Sequence, residues 1–232
     1  RLGPIPAAHL RGIRPTSPKQ DSIMGRHDSS LTGSARHVPL ATGLYASTRV
    51  QTAFGWSRIA DLQAGDLLVT RDDGLMPLDS LTTESCKVLW SVCLPAAALG
   101  NPVEVMLPPG QPVLIRTHYA MPFSGDDLAL VPATALEGWH GIAAHVPAVT
   151  EPILQPHLSR PAILFAGPGL LLGCPGSDHS SFDLKDLMHT PSRPVLPLAA
   201  ARHLLATLIA EEASLYLAQL HAADLRAPPN LS

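Results

Sequence analysis

The stretch GLYASTRVQTAFGWSRIADLQAGDLLVTRDDGLMPL, residues 43–78, decides the fold. In TRVQTAFGWSRI, Val50 and Thr52 lead to a turn expected at Ala53-Phe54-Gly55, and Trp56 and Ile59 resume the apolar series, which is the signature of a β-hairpin. Asp61-Leu62-Gln63-Ala64-Gly65-Asp66 reads as a turn in which Gly65 supplies positive φ. Leu67-Leu68-Val69-Thr70 then reads as a buried strand, closed by a second turn at Arg71-Asp72-Asp73-Gly74.

Outward from this stretch the same texture continues. KVLWSVCL, PVEVML, PVLIRTHYAM and LALVPATAL are short runs of mostly β-branched or aliphatic residues bounded by Pro, Gly or Asp. Short strands at near-regular spacing predict an all-β sheet or barrel-like body. PAILFAGPGLLLG is apolar and interrupted by glycine, as closing strands in a core would be. After Cys174-Pro175-Gly176-Ser177 the texture changes. Pro197 suits the first turn of a helix, and Ala201, Leu204, Leu205, Leu208, Glu212, Leu215, Tyr216 and Gln219 fall on one mostly apolar stripe of 3.6-residue period. An amphipathic helix of about six turns is expected before Pro228-Pro229 stop it.

Residues 1–40 hold many Pro, Gly, Ser and Arg without a helical or alternating apolar period. Ordering costs roughly 1–2 kcal/mol per residue, which such a segment cannot offset by burial. The expected organisation is a flexible arm over 1–40, a β domain over 41–176, and a linker with a helical segment over 177–232.

Composition narrows the function classes. The apolar fraction of 46% suits a globular domain, and aromatics at 4% leave the core to Leu, Val, Ile and Ala. A net charge of −3 with no basic run argues against nucleic acid as a partner. No apolar run is long enough to span a membrane, and no signal-peptide pattern opens the chain. The chain begins on Arg1 rather than Met, as a fragment or trimmed product would, so the compartment stays open. Cys86, Cys93 and Cys174 cannot all pair within one chain; a bridge of Cys86 to Cys93 or Cys93 to Cys174 requires an oxidising compartment.

Residues 43–78 resemble the opening of a bacterial Hedgehog/intein-like (Hint) domain. The resemblance rests on Ser47-Thr48-Arg49-Val50, Gly55-Trp56, Asp61 through Thr70 and Asp73-Gly74-Leu75-Met76-Pro77. Three later blocks follow in family order: Ala96 through Gly100, Val113 through His118, and Leu130 through Leu136. Together they cover roughly residues 41–176. The resemblance implies an all-β horseshoe-like module and a self-processing chemistry. In that chemistry a Cys or Ser attacks the preceding carbonyl, and a Thr-x-x-His element polarises the amide and protonates the leaving amine.

Carried over residue by residue, that chemistry is incomplete. The nucleophile position falls at Gly43, which has no nucleophilic atom, and neither Leu44 nor Ala46 supplies one. Tyr45 carries a phenol with an ordinary pKa near 10, and Ser47 lies where the family has the Gly of its first strand. The family His falls at His118, the candidate catalytic residue, yet the Thr or Ser expected three residues earlier is Ile115. Thr117 is adjacent to His118, and neighbouring strand residues point to opposite faces. A further family His is replaced by Pro161 in LQPHLSRPAILFAG; His157 is a candidate for a shifted substitute, against which Pro156 and Pro161 point to a rearranged loop. No terminal His-Asn pair follows. A non-processing structural or interaction module is therefore expected, with the C-terminal helix as the surface for a protein partner. The alternative is residual self-cleavage near Thr42-Gly43 aided by His118.

Other constellations are weaker. Cys174, His179 and His189 do not have the spacing of zinc ligands, and His140 and His145 read as loop histidines flanking Gly-Ile-Ala-Ala. Asp72-Asp73 and Asp126-Asp127 lack the oxygen set that Ca²⁺ needs and read as turn residues. The Gly-rich segments have no phosphate-loop Lys and no nucleophile-elbow Ser. Trp56, Trp90 and Trp139 read as core or partly buried packing. No cofactor and no metal are expected.

Overall fold

The computed structural model describes residues 40–84, 88–146, 151–167, 169–176 and 193–224. Contacts divide the chain into two units, Arg1–Val38 and Pro39–Ser232, and all described residues belong to the second. The expected arm lies outside the described residues except for Leu40, and the linker over 177–192 lies outside them too.

The strands are β1 (Leu44–Tyr45), β2 (Arg49–Thr52), β3 (Gly55–Arg58), β4 (Leu67–Thr70), β5 (Gly74–Thr83), β6 (Ser91–Leu94), β7 (Val105–Leu107) and β8 (Pro112–Arg116). A short helix α1 (Met121–Ser124) separates β8 from β9 (Leu128–Pro132), β10 (Ala143–His145), β11 (Ile153–Leu158), β12 (Ala162–Ala166) and β13 (Leu170–Cys174). The last element is α2 (Leu198–Asp224). The larger sheet has the order β1-β11-β5-β4-β2-β12-β13-β8-β9, with β3 paired to β2; β10-β6-β7 form a second sheet. All strand pairs are antiparallel.

The expected hairpin forms with Arg49 opposite Arg58 and Thr52 opposite Gly55. The Thr52 hydroxyl closes its turn by donating to Gly55 O at 2.9 Å and accepting from Phe54 N. The sheet curls because strands change partners. β5 pairs with β4 as far as Pro77 and with β11 from Leu78 onward. β12 pairs with β13 along its length while touching both β2 at Val50 and β4 at Thr70. The result is a half-barrel wrapped around Val50, Leu68, Leu78, Leu164 and Leu172, all buried.

Three expectations are corrected. Leu67-Leu68-Val69-Thr70 buries only alternate residues, Leu68 and Thr70, so it is a half-exposed strand. The expected loop at LQPHLSRP is largely β11, flanked by β1 and β5. Pro156 is tolerated there because its nitrogen faces the β1 side, and β1 ends opposite Leu154 and Ile153 before reaching it. His145 lies on β10, opposite Ser91, and not in a loop.

The helix runs 27 residues, longer than the six turns expected. Its stripe is buried only in the first half: Ala201, Leu204, Leu205 and Leu208 enter the core beside Ala133 and Leu136. Fully burying a leucine contributes about 1.5–3 kcal/mol, so these contacts hold the helix in place. Beyond them Leu215, Tyr216, Leu217 and Leu220 are exposed, which breaks the expected single stripe. Ahead of the helix, Val195 makes a parallel bridge to Leu130 and Leu196 N donates to Leu130 O at 2.8 Å. This segment covers β9, the end strand of the larger sheet.

Candidate functional site

The place where the nucleophile is expected is Gly43, at the threshold of β1. Its φ is +115°, a backbone conformation that glycine adopts without steric cost and other residues rarely adopt. A Cβ built there would lie 2.7 Å from Ile153 Cγ2, 2.9 Å from Leu154 O and 3.3 Å from Gln155 Oε1. Pairing of β1 to β11 through Leu44 and Leu154 creates this closeness. The position therefore lacks a nucleophilic atom and also lacks the room for one.

The amide nitrogen of Gly43 donates to Oε1 of Gln111 at 2.9 Å. Gln111 is buried at the start of β8, and its Nε2 donates to Gly173 O at 2.8 Å and Pro112 O at 3.2 Å. Both amide hydrogens of the side chain are thereby engaged, and its oxygen faces the Gly43 N–H. One residue earlier, Gly110 N donates to Ala41 O at 2.8 Å. A Cβ on Gly110 would stand 2.6 Å from Leu40 O and 2.8 Å from Ala41 O, so the incoming chain packs directly on that glycine. The Thr42 hydroxyl completes the cradle by donating to Gln155 Oε1 at 3.2 Å. Residues 40–43 are thus held from both sides, by the β8 entry and by β11.

Gln111 was missed in the sequence. The readable signal is a lone amide side chain between Pro108-Pro109-Gly110 and the apolar run Pro112-Val113-Leu114-Ile115. A polar residue at the mouth of a buried strand needs partners, and the partners prove to be main-chain groups.

His118 is placed elsewhere, in a 3-10 turn, His118–Ala120, that follows β8. Its side chain is 66% exposed; its ring lies 4.0 Å from that of Tyr119, and its Nε2 is 3.9 Å from Glu211 Oε1 of α2. Ile115 is buried, and the Thr117 hydroxyl caps the turn by accepting from Tyr119 N at 3.3 Å. Burial and the nearby Glu211 carboxylate raise the Tyr119 phenol above its ordinary value. His140 and Trp139 meet the same helix: Trp139 Nε1 donates to Glu212 Oε2 at 3.0 Å, and His140 Nε2 lies 3.3 Å from that oxygen. The histidines at 118 and 140 therefore belong to the contact between the β module and α2. His157 shares a 3.0 Å hydrogen bond with the Thr82 hydroxyl across β11 and β5.

Neither described thiol is a ready nucleophile. Burial pushes the Cys174 thiol up to about 12, and it donates to Pro156 O at 3.0 Å. Burial and the Glu104 carboxylate also raise Cys93. Both are unpaired, so neither bridge considered for Cys93 forms; Cys86 lies outside the described residues, as do His179 and His189. Among the described residues, no three His, Cys, Asp or Glu side chains come together as a metal site. Asp126 is more than a turn residue: it binds the Arg193 guanidinium, with Nη1 2.6 Å from Oδ1 and Nη2 on Oδ2.

The site thus lies where the chain enters a curled antiparallel β module, at the mouth of β8. The profile of the Hint domain family matches residues 42–167, more than half of the chain, and the protein belongs to that family. Solved structures similar to it include the MchDnaB-1 intein, at 18% identity over 56% of this chain and 98% of that one, with a TM-score of 0.35. The gp41-1 intein is similar at 16% identity over 56% of this chain and 96% of that one, with a TM-score of 0.37. The strand pairing, rather than these scores, defines the fold. Comparison with curated proteins gave no match.

Proposed function

We propose that the protein is a Hint domain that no longer processes itself and acts as a structural and interaction module. The observation carrying this reading is the bond from Gly43 N to Gln111 Oε1. For the Thr42–Gly43 amide to break, an atom must attack the Thr42 carbonyl and the Gly43 nitrogen must gain a proton. Gly43 brings no attacking atom. The group beside its nitrogen is an amide oxygen, an acceptor with no proton to give, whose own N–H groups are engaged by Gly173 and Pro112. The same contacts turn a cleavage cradle into a clasp that anchors the chain upstream of residue 43.

The intact mass of the chain bearing a folded tag ahead of Arg1, incubated with and without a small thiol, tests this reading. One uncleaved mass is expected over days, unchanged by His118→Ala. A tag fragment ending at Thr42 that disappears with His118→Ala overturns it in favour of self-cleavage.

The interaction role falls to the outer half of α2, where Leu215, Tyr216, Leu217 and Leu220 offer apolar surface to a protein partner. Among the described residues no helix is long and apolar enough to cross a membrane, and the sequence carries a net charge of −3 without a basic run.

A further inference from the structure

A cleft of about 370 Å³ opens beside the clasp. Tyr45, Ser47, Thr48 and Arg49 line it along with Val103, Glu104, Val105 and Met106. The first group belongs to β1 and the turn into β2, the second to β7 and its approach. Among the described residues β1 ends the larger sheet and β7 ends the smaller one. Two sheet ends thus border one cavity, and the outer edge of an end strand carries backbone groups available to a further strand.

The deepest polar groups are the Tyr45 and Ser91 hydroxyls, which are hydrogen-bonded to each other. Ser91 is 0% and Tyr45 8% exposed. Two hydroxyls carry two hydrogens and their mutual bond uses one, which leaves one O–H with no other acceptor among the described residues. Glu104 and Glu151 also line the cleft, with Glu151 Oε2 fixed by Ser47 N at 3.1 Å. Neither carboxylate has a cationic partner within 4.0 Å among the described residues, and Arg49 has no carboxylate partner there. Val103, Val105 and Met106 add aliphatic wall.

Glu104 meets the Cys93 thiol and Glu151 the Ser47 N–H, but neither charge is neutralised, and these groups describe one ligand. Two carboxylates with an aliphatic wall suit a methylene stem ending in a cation. The spare O–H and the exposed Arg49 guanidinium are hydrogen-bond donors, and main-chain carbonyls can accept from them. We propose that the cleft binds an extended peptide segment of a partner protein, laid along β7, with one lysine or arginine side chain placed toward Glu104 and Glu151. The site does not depend on whether the Thr42–Gly43 bond is ever cut.

Titration of the full chain with acetyl-Val-Lys-Val-amide, acetyl-Val-Arg-Val-amide and acetyl-Val-Glu-Val-amide, followed by calorimetry and amide chemical shifts, tests the proposal. The basic peptides are expected to bind and shift resonances of Tyr45, Ser91 and Val105, while the acidic peptide does not bind. Glu104→Gln with Glu151→Gln is expected to weaken the basic peptides by roughly three- to tenfold, the worth of two solvent-facing charge contacts. Ser91→Ala weakens them without changing the preference for a basic side chain. Equal binding of basic and acidic peptides overturns the proposal, as does undiminished binding by the Glu104→Gln, Glu151→Gln chain or no binding at 10-fold excess over a millimolar chain, on the order of the weakest specific affinities. Lysine amide binding as tightly as the peptide also overturns it, because the site would then read an amine and not a strand.

Discussion

Placing a methyl group on Gly43 makes two demands of the backbone at once. The residue must hold φ at +115°, and β11 must retreat from a contact of 2.7 Å. Gly43→Ala is expected to lower stability by about 2–4 kcal/mol, combining backbone strain with overpacking, measured by urea denaturation. Gly43→Cys carries the same penalty and is expected to remain uncut, because the group at the nitrogen is still Gln111. Gln111→Ala leaves the buried Gly43 N and Gly173 O without their partner and is expected to cost about 1–3 kcal/mol. A separate residue-scale test concerns Asp126. The Arg193 guanidinium holds its carboxyl far below the ordinary value of 3.8. A carboxylate depressed in the folded state stabilises above its unfolded pKa, and that stabilisation is lost as pH falls toward the folded pKa. The stability difference between the native chain and Asp126→Asn should therefore be constant from pH 7 to about 5 and shrink below about pH 4. A constant difference down to pH 3 would remove this ion pair as its cause.

The turns and hairpins were legible because their signals are local. Gly65 and Gly74 take the positive φ that their turns require, and Thr52 closes the first hairpin from within four residues. The β11 strand was hidden because a proline in a strand is permitted by the extent of its neighbour, β1, which no local pattern records. Gln111 was hidden for a related reason, since its partners lie 68 and 62 residues away in sequence. In α2 the apolar period was visible, but where the sheet stops supporting it was not. Leu204→Ala should cost about 2–5 kcal/mol, whereas Leu217→Gln should stay within about 0.5 kcal/mol and Leu220→Gln likewise. The emission of Trp139, whose indole N–H is held by Glu212, reports detachment of the helix; Glu212→Gln should alter it while leaving the β module folded. A large stability loss from Leu217→Gln would mean that the outer half is packed after all.

For the molecule as a whole, the core thiol offers a check on closure. Cys174 is buried with its pKa pushed up to about 12, so Cys174→Ser should leave the number of thiols titrated in the native protein at pH 8 unchanged. A drop by one would show that the half-barrel opens readily around β13. The curled antiparallel sheet of the family forms with Gly43 and Gln111 bonded to each other where the chain enters it. Val50, Leu68, Leu78 and Leu164 stabilise that sheet from its interior, so its folding does not depend on the contacts at the entry.

The clasp between Thr42 and Gln155 joins positions 113 residues apart in sequence. During synthesis at about 5–20 residues per second, the opening strand therefore waits on the order of ten seconds before its partner emerges from the ribosome. Throughout that interval β1 is an unpaired edge, exposed to any other nascent chain. Polysome crowding, rather than the finished protein, is thus where this topology is most prone to trading strands, and slowed translation across residues 44–154 should raise aggregated yield while the purified chain refolds normally when dilute.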